Sequence, residues 1–261
     1  MPVVACLLAL LAAVGCTPTT AGAGRSLAAQ GVSEPVVTPG TLVEIPDSRF
    51  SMGCDPAVHP ICTPDESPAH EVHLGPFAIE ATEVTFGQWR ACMDASACAE
   101  PTGGIGADTL PVVGVTADQA VAYCAWLGRE LPSEAQWERA ARGTGKGLYP
   151  WGDADPSCAQ AASRPCTGGV VTVATHPDGA TDEGVHDLIG NVYEWVLDWY
   201  DPYYYGTSPV DDPHGGYPGG MRVVRGTDQW SDPGAMRATN RTAAIPDASS
   251  VVIGFRCAVD R

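Results

Sequence analysis

Regular structure in this chain is confined to short segments, and the clearest of them are announced by three helix-start signals of one kind. Thr85 with Gln88, Thr116 with Gln119 and Ser133 with Gln136 each form a Ser/Thr-x-x-Gln box. In such a box the hydroxyl accepts from an otherwise unpaired N–H of the first turn and the Gln reaches back to the cap. The second helix is expected to end at Gly128, and the third, entered from Pro132, near Gly143. Ala120, Tyr123, Cys124 and Leu127 share one face of the second helix at helical spacing, and Trp137, Ala140 and Ala141 face the core from the third. Strand-like runs are shorter still: residues 41–45, 71–74, 77–81, 170–174, 223–225 and 254–259. The 30 Gly and 23 Pro among 261 residues fill about a fifth of the chain, which leaves little room to extend any of these. The expectation is one irregular, loop-rich α+β domain; a helical bundle is excluded.

A formal charge of −17, from 14 basic and 31 acidic residues, argues against nucleic acid as a partner, because binding there rests on neutralising phosphates. Residues 3–14, VVACLLALLAAV, are apolar but too few to span a bilayer, so residues 1–15 read as a secretory signal. Gly15-Cys16 closes that run as a bacterial lipobox does. Cys16 is therefore expected to carry lipid, with residues 16–39 as anchor and flexible tether, and the membrane becomes a partner through that lipid. The location implied is the cell envelope, periplasmic or outer-surface, or secretion if no lipid is attached. Ten cysteines in an exported chain suit an oxidising compartment.

Several segments, taken in order, resemble the formylglycine-generating enzyme family, also called sulfatase-modifying factor domains. They are FSMG (50–53), DESPAHEVHLGPFAIEATEVTFGQW (65–89), LPVVGVTADQAVAYCAWLGRELPSEAQWERAARG (110–143), YPWGD (149–153), VHDLIGNVYEWVLDWY (185–200), RVVRG (222–226) and GFRCAVD (254–260). The resemblance covers residues 40–261 and implies an irregular, C-type-lectin-like fold. It also implies a disulfide between Cys124 and Cys257; the six other cysteines of this region then fall into close pairs, Cys54–Cys62, Cys92–Cys98 and Cys158–Cys166.

Family enzymes hold copper(I) on two cysteines in the segment corresponding to residues 225–241. Here that segment reads RGTDQWSDPGAMRATNR, with Ser231, Asp232 and Met236 where thiolates would lie. One thioether cannot replace two thiolates, so copper is not expected. The resemblance does imply calcium, held by the side chains of Asp187 and Glu194 and the carbonyls of Gly190 and Val192 in DLIGNVYE, an all-oxygen set suited to a hard cation. The plainer alternative makes Asp187 a turn residue and Glu194 a surface charge. His70 and His73 are read as facing one side of a strand in a structural role.

The function these readings favour is an exported, lipid-anchored domain that binds a ligand or partner, protein or glycan, without the copper cysteine pair. Asp228, Gln229, Trp230 and Ser231, with Tyr203 and Tyr204, are the candidates for its cleft. The alternatives are an oxidoreductase of this family acting on protein substrates with altered metal chemistry, and a purely structural surface domain.

Overall fold

A computed structural model describes residues 38–145, 147–216 and 218–261. The signal, Cys16 and most of the tether lie outside them. The chain begins with β1 (Leu42–Ile45) and β2 (Ser48–Met52), then β3 (His70–Leu74) and β4 (Phe77–Glu80). Three short helices follow: α1 (Phe86–Asp94), α2 (Ala117–Trp126) and α3 (Glu134–Arg142). The remainder supplies β5 (Tyr193–Trp199), β6 (Arg222–Arg225), β7 (Arg241–Ala244), β8 (Ile253–Phe255) and β9 (Ala258–Asp260).

All three capping boxes form. Gln88 N–H donates to Thr85 Oγ1 at 3.3 Å, Gln119 N–H to Thr116 Oγ1 at 3.2 Å and Gln136 N–H to Ser133 Oγ at 3.1 Å. The helix ends also follow their glycines: α3 stops at Gly143, whose φ of +61° suits a residue without Cβ. Strands pair in three sheets, ordered β1-β4-β9, β2-β3 and β7-β6-β5-β8. Within the last, β5 runs parallel to β8 and antiparallel to β6.

β5 organises the interior. Successive side chains of a strand point to opposite faces, and here both faces are covered. Trp195 and Leu197 pack with Trp89, Tyr123 and Phe255 on one side. Val196 packs with Trp137, Val223 and Met236 on the other. YEWVLDW alternates Tyr193, Trp195, Leu197 and Trp199 with Glu194, Val196 and Asp198, yet the second face is buried as well, because Glu194 and Asp198 meet buried partners there. β2, β5 and β7 all lie outside the strand-like runs read from the sequence. The apolar run 170–174 is not a strand: its N–H groups are taken by loop acceptors, Val171 by Asn191 Oδ1, Val173 by the Thr109 carbonyl and Ala174 by Asp187 Oδ2. The run 254–259 divides into β8 and β9, which join different sheets. His70 and His73, three apart on β3, point to opposite faces. His70 leans on Tyr205 with ring centroids 4.8 Å apart, whereas His73 lies between Asp211 and Asp47 at 2.9 and 3.2 Å.

Four disulfides join Cys54 to Cys62, Cys92 to Cys98, Cys124 to Cys257 and Cys158 to Cys166. They point to an extracellular or periplasmic environment. Among the described residues no helix is long and apolar enough to cross a membrane.

Candidate functional site

Helix α3 is buried on nearly every side, charged residues included. Glu134 and Glu138 project from it to meet arginines that bound the 225–241 segment. Arg241 grips Glu134 with two bonds of 2.6 and 2.9 Å, and Arg225 reaches Glu134 at 3.2 Å and Glu138 at 2.6 Å. Glu138 also accepts from Arg142 at 2.6 Å and from the Gly53 N–H at 2.7 Å. Arg237 pairs with buried Glu66, which accepts from Thr239 Oγ1 at 2.7 Å as well. Burial alone would raise the Glu134 carboxyl, but Arg241 and Arg225 hold it below its usual range. Asp198 accepts from the Glu134 N–H at 2.7 Å; its burial and the charge of Glu134 push it up to about 7. This charge lattice fixes both ends of the 225–241 segment. Motif reading missed it; its signal was two glutamates four apart on a helix whose core face is set by Trp137, Ala140 and Ala141.

Within the segment, Asp228 and Ser231 hold each other. Ser231 Oγ donates to Asp228 Oδ1 at 2.7 Å and accepts from the Asp228 N–H at 3.2 Å. The Tyr193 hydroxyl lies 3.4 Å from Ser231 Oγ. Gln229 N–H donates to the Asn191 carbonyl at 3.0 Å, and half-exposed Trp230 accepts from Arg164 through its own carbonyl at 3.2 Å. Met236 is wholly enclosed in the core. The polar side chains of this stretch, buried Asp228 and Ser231 with Tyr193 beside them, thus supply carboxylate, hydroxyl and phenol oxygens, and the one soft atom is packed away. All eight cysteines among the described residues are tied in disulfides, so no thiolate stands near.

The expected cleft residues form two places, not one. Ser231 sits beside Tyr193 at the start of β5, whereas Tyr203 and Tyr204 follow its end, about 20 Å away for six strand steps. Tyr203 is 82% exposed. Tyr204 borders a concavity of about 400 Å³ with Asp201, Thr207, Pro209, His214 and Gly216.

The 187–194 loop turns tightly. Asp187, Gly190 and Asn191 all have positive φ, +57°, +89° and +60°. At Gly190 a Cβ would lie 2.4 Å from the Ala162 carbonyl oxygen, so only glycine fits. Among the described residues no donor is hydrogen-bonded to the carbonyl of Gly190 or of Val192, though both residues are buried. Unpaired buried carbonyls are costly unless something else meets them. Asp187 accepts from the Ala174 N–H at 2.5 Å. Glu194 is otherwise engaged: Arg256 donates to both its oxygens at 2.7 and 2.8 Å, and Trp137 Nε1 donates at 2.9 Å. Three of about four acceptor directions on that carboxylate are thus filled. Beside the loop stands Glu83, wholly buried, one oxygen accepting from Asn191 Nδ2 at 3.0 Å and the other without a partner. Burial and the charge of Asp187 push its carboxyl well above the usual range. Among the described residues no three His, Cys, Asp or Glu side chains are gathered into a metal-holding group. Cation binding here would therefore draw on carbonyls and at most two carboxylates.

Residues 29–261 match the Sulfatase-modifying factor enzyme 1-like domain. The chain belongs to that family. It is 31% identical over 281 residues to the formylglycine-generating enzyme of Streptomyces coelicolor, an alignment covering 84% of this chain and 88% of the other. It is also 31% identical over 280 residues to the inactive C-alpha-formylglycine-generating enzyme 2 of Mus musculus, covering 83% and 85%. Among solved structures, PvdO from Pseudomonas aeruginosa superposes with a TM-score of 0.75 at 28% identity, over 86% of this chain and all but 1% of PvdO's, at 99%. The irregular, loop-rich α+β fold of formylglycine-generating enzyme type, stabilised by disulfides, is the one the sequence led us to expect.

Proposed function

We propose that this is an exported member of the sulfatase-modifying factor family that works by binding a ligand or partner, not by copper(I) chemistry. One observation carries the reading. The segment where family enzymes hold copper presents oxygen donors and a buried thioether, while every cysteine of the described domain is consumed in a disulfide. Copper(I) needs soft donors, and carboxylate and hydroxyl oxygens are hard ones. The ligand, a protein or a glycan, meets the surface around Tyr203 and Tyr204, where the exposed Tyr203 ring and the Asp201 carboxylate offer a stacking face and an acceptor. Calcium takes a structural part in this reading, held by Asp187 and the carbonyls of Gly190 and Val192, whose lack of donors supports it. The signal at residues 1–15 and lipid on Cys16 deliver the domain to the envelope on its tether.

The test is incubation of the purified protein with a sulfatase-motif peptide, copper and oxygen, followed by mass spectrometry. The reading predicts an unmodified cysteine in the peptide. Formylglycine appearing at a rate that scales with protein would overturn it and favour an oxidoreductase with altered metal chemistry. Peptide and glycan arrays probed with the wild type and with Tyr203→Ala then locate the ligand surface.

A further inference from the structure

The loop that walls the Tyr204 concavity is fastened to a carboxylate buried beneath it. We propose that Asp198 gates this surface by proton uptake: ionised, it fastens residues 207–216 around the concavity, and protonated, it lets them loosen. This regulation rests on the Tyr203–Tyr204 surface being the ligand site.

Three observations carry it. First, each oxygen of Asp198 accepts from a different backbone N–H, Oδ2 from Glu134 at 2.7 Å and Oδ1 from Gly215 at 2.5 Å. An ionised carboxylate only accepts, so it suits both donors; a proton makes one oxygen a donor that faces an N–H. Second, the two donors are unequally held. The Glu134 N–H opens α3 behind the Ser133 cap, and the Glu134 side chain is gripped by Arg241 and Arg225. Gly215 lies in a loop, with one further bond at that end, its carbonyl accepting from the Trp199 N–H at 3.1 Å. The loop's far end hangs from β3, where the Val210 carbonyl accepts from the His73 N–H at 2.7 Å and the Asp212 N–H donates to the His73 carbonyl at 2.9 Å. Gly215 is therefore the partner that gives way. Third, Gly215 is wedged between Asp198 and the Tyr204 ring. A Cβ there would lie 2.8 Å from Asp198 Oδ1 and 3.2 and 3.3 Å from Tyr204 Cε1 and Cδ1. Its neighbours His214 and Gly216 both line the concavity. A shift at Gly215 thus moves the wall and frees the ring.

The charges around Asp198 set where the gate turns. From α3 the Glu134 carboxylate opposes its ionisation; from β7 Arg241 favours it, although that guanidinium is bonded to Glu134. Arg222 of β6 and the Tyr204 phenol also feel its charge. Within the loop His214 adjoins Gly215, and at the far end His73 lies between Asp211 and Asp47. Burial and Glu134 push Asp198 up to about 7, so the loop is fastened above neutrality and loosened below it. Losing a buried charge beside Glu134 steadies the fold as a whole in acid, even as this one contact weakens.

The experiment is hydrogen exchange of the 207–216 segment in the full chain, read by mass spectrometry for the wild type, Asp198→Asn and His73→Gln. The ratio of wild type to Asp198→Asn at each pH removes the intrinsic pH dependence of exchange. We expect the wild type to exchange about tenfold more slowly than Asp198→Asn at about pH 8 and equally at about pH 5.5. His73→Gln should keep the wild-type change. A second measurement needs no variant: by NMR the Gly215 amide shift should follow the Asp198 carboxyl carbon with one midpoint near 7. A constant exchange ratio, a Gly215 amide indifferent to Asp198, or loss of the change in His73→Gln would overturn the gate. Peptide and glycan arrays washed at the two pH values separate the two readings. Signal that depends on Tyr203 and falls in acid supports both. Tyr203-dependent signal equal at both pH values would overturn the gate and leave the ligand reading intact. A loop that responds to Asp198 with no Tyr203-dependent signal at either pH would overturn the ligand reading instead.

Discussion

Breaking the Cys124–Cys257 bridge should cost far more than breaking any other disulfide. This bond closes a loop of 133 residues, against 8, 6 and 8 for the other three. If a cross-link acts mainly by restricting the unfolded chain, its worth grows with the logarithm of the loop. That gives about 5 kcal/mol for the long loop, about 2.5 kcal/mol for a loop of 8 and about 2 kcal/mol for a loop of 6. Packing adds to the difference, because Cys124 and Cys257 are both fully buried in the Trp89–Tyr123–Phe255 cluster, and removing their sulfurs leaves a void. The comparison is Cys124→Ala/Cys257→Ala against Cys158→Ala/Cys166→Ala, by urea unfolding followed through tryptophan fluorescence. The expected losses differ by at least about 2 kcal/mol. Equal losses, or a larger loss for the short loop, would refute the argument and mean that 124 and 257 are held together before the bond forms.

Other outcomes follow from the charge lattice and the loop. Glu138→Gln leaves Arg142 without its counter-charge and Arg225 with Glu134 alone, and should cost about 3–5 kcal/mol in the same unfolding assay. Asp198, buried and raised to about 7 in the folded state, holds its proton there while the unfolded chain has lost it. Stability should therefore fall as pH rises from about 4 to about 7, by up to about 4 kcal/mol from this group, and level off above. Scanning calorimetry across that window reads the slope, which Asp198→Asn should flatten. Gly190→Ala places a Cβ against the Ala162 carbonyl at a φ of +89°. The melting temperature should drop by several degrees, and binding of calcium by titration should weaken with it.

What could be read in the sequence was what local chemistry dictates. The three capping boxes place helix starts because hydroxyl and amide satisfy the same first-turn N–H groups in any context. Motif order carried the family, and with it the fold. The strands read less well. β5 buries Glu194 and Asp198 on the face opposite Trp195 and Leu197, and the apolar run 170–174 spends its N–H groups on loop acceptors instead of a neighbouring strand. Around the candidate site, what could be anticipated was the local turn at Gly190-Asn191, because it is contiguous. Glu83, Arg256, Glu134 and Arg241 join their partners across scores of intervening residues, and nothing local marks a glutamate that will be buried. Tyr203 and Ser231 looked like one surface because both are polar and lie close in sequence; β5 carries them to opposite ends.

This domain is proposed to hold no copper thiolates. That is tested by copper(I) titration, against a chromophoric chelator, of unreduced protein carrying Cys6→Ser and Cys16→Ser, so that the two thiols outside the described residues do not contribute. The chelator should keep its copper at every protein concentration. Transfer of one equivalent of copper to the folded protein, blocked by thiol alkylation, would contradict it.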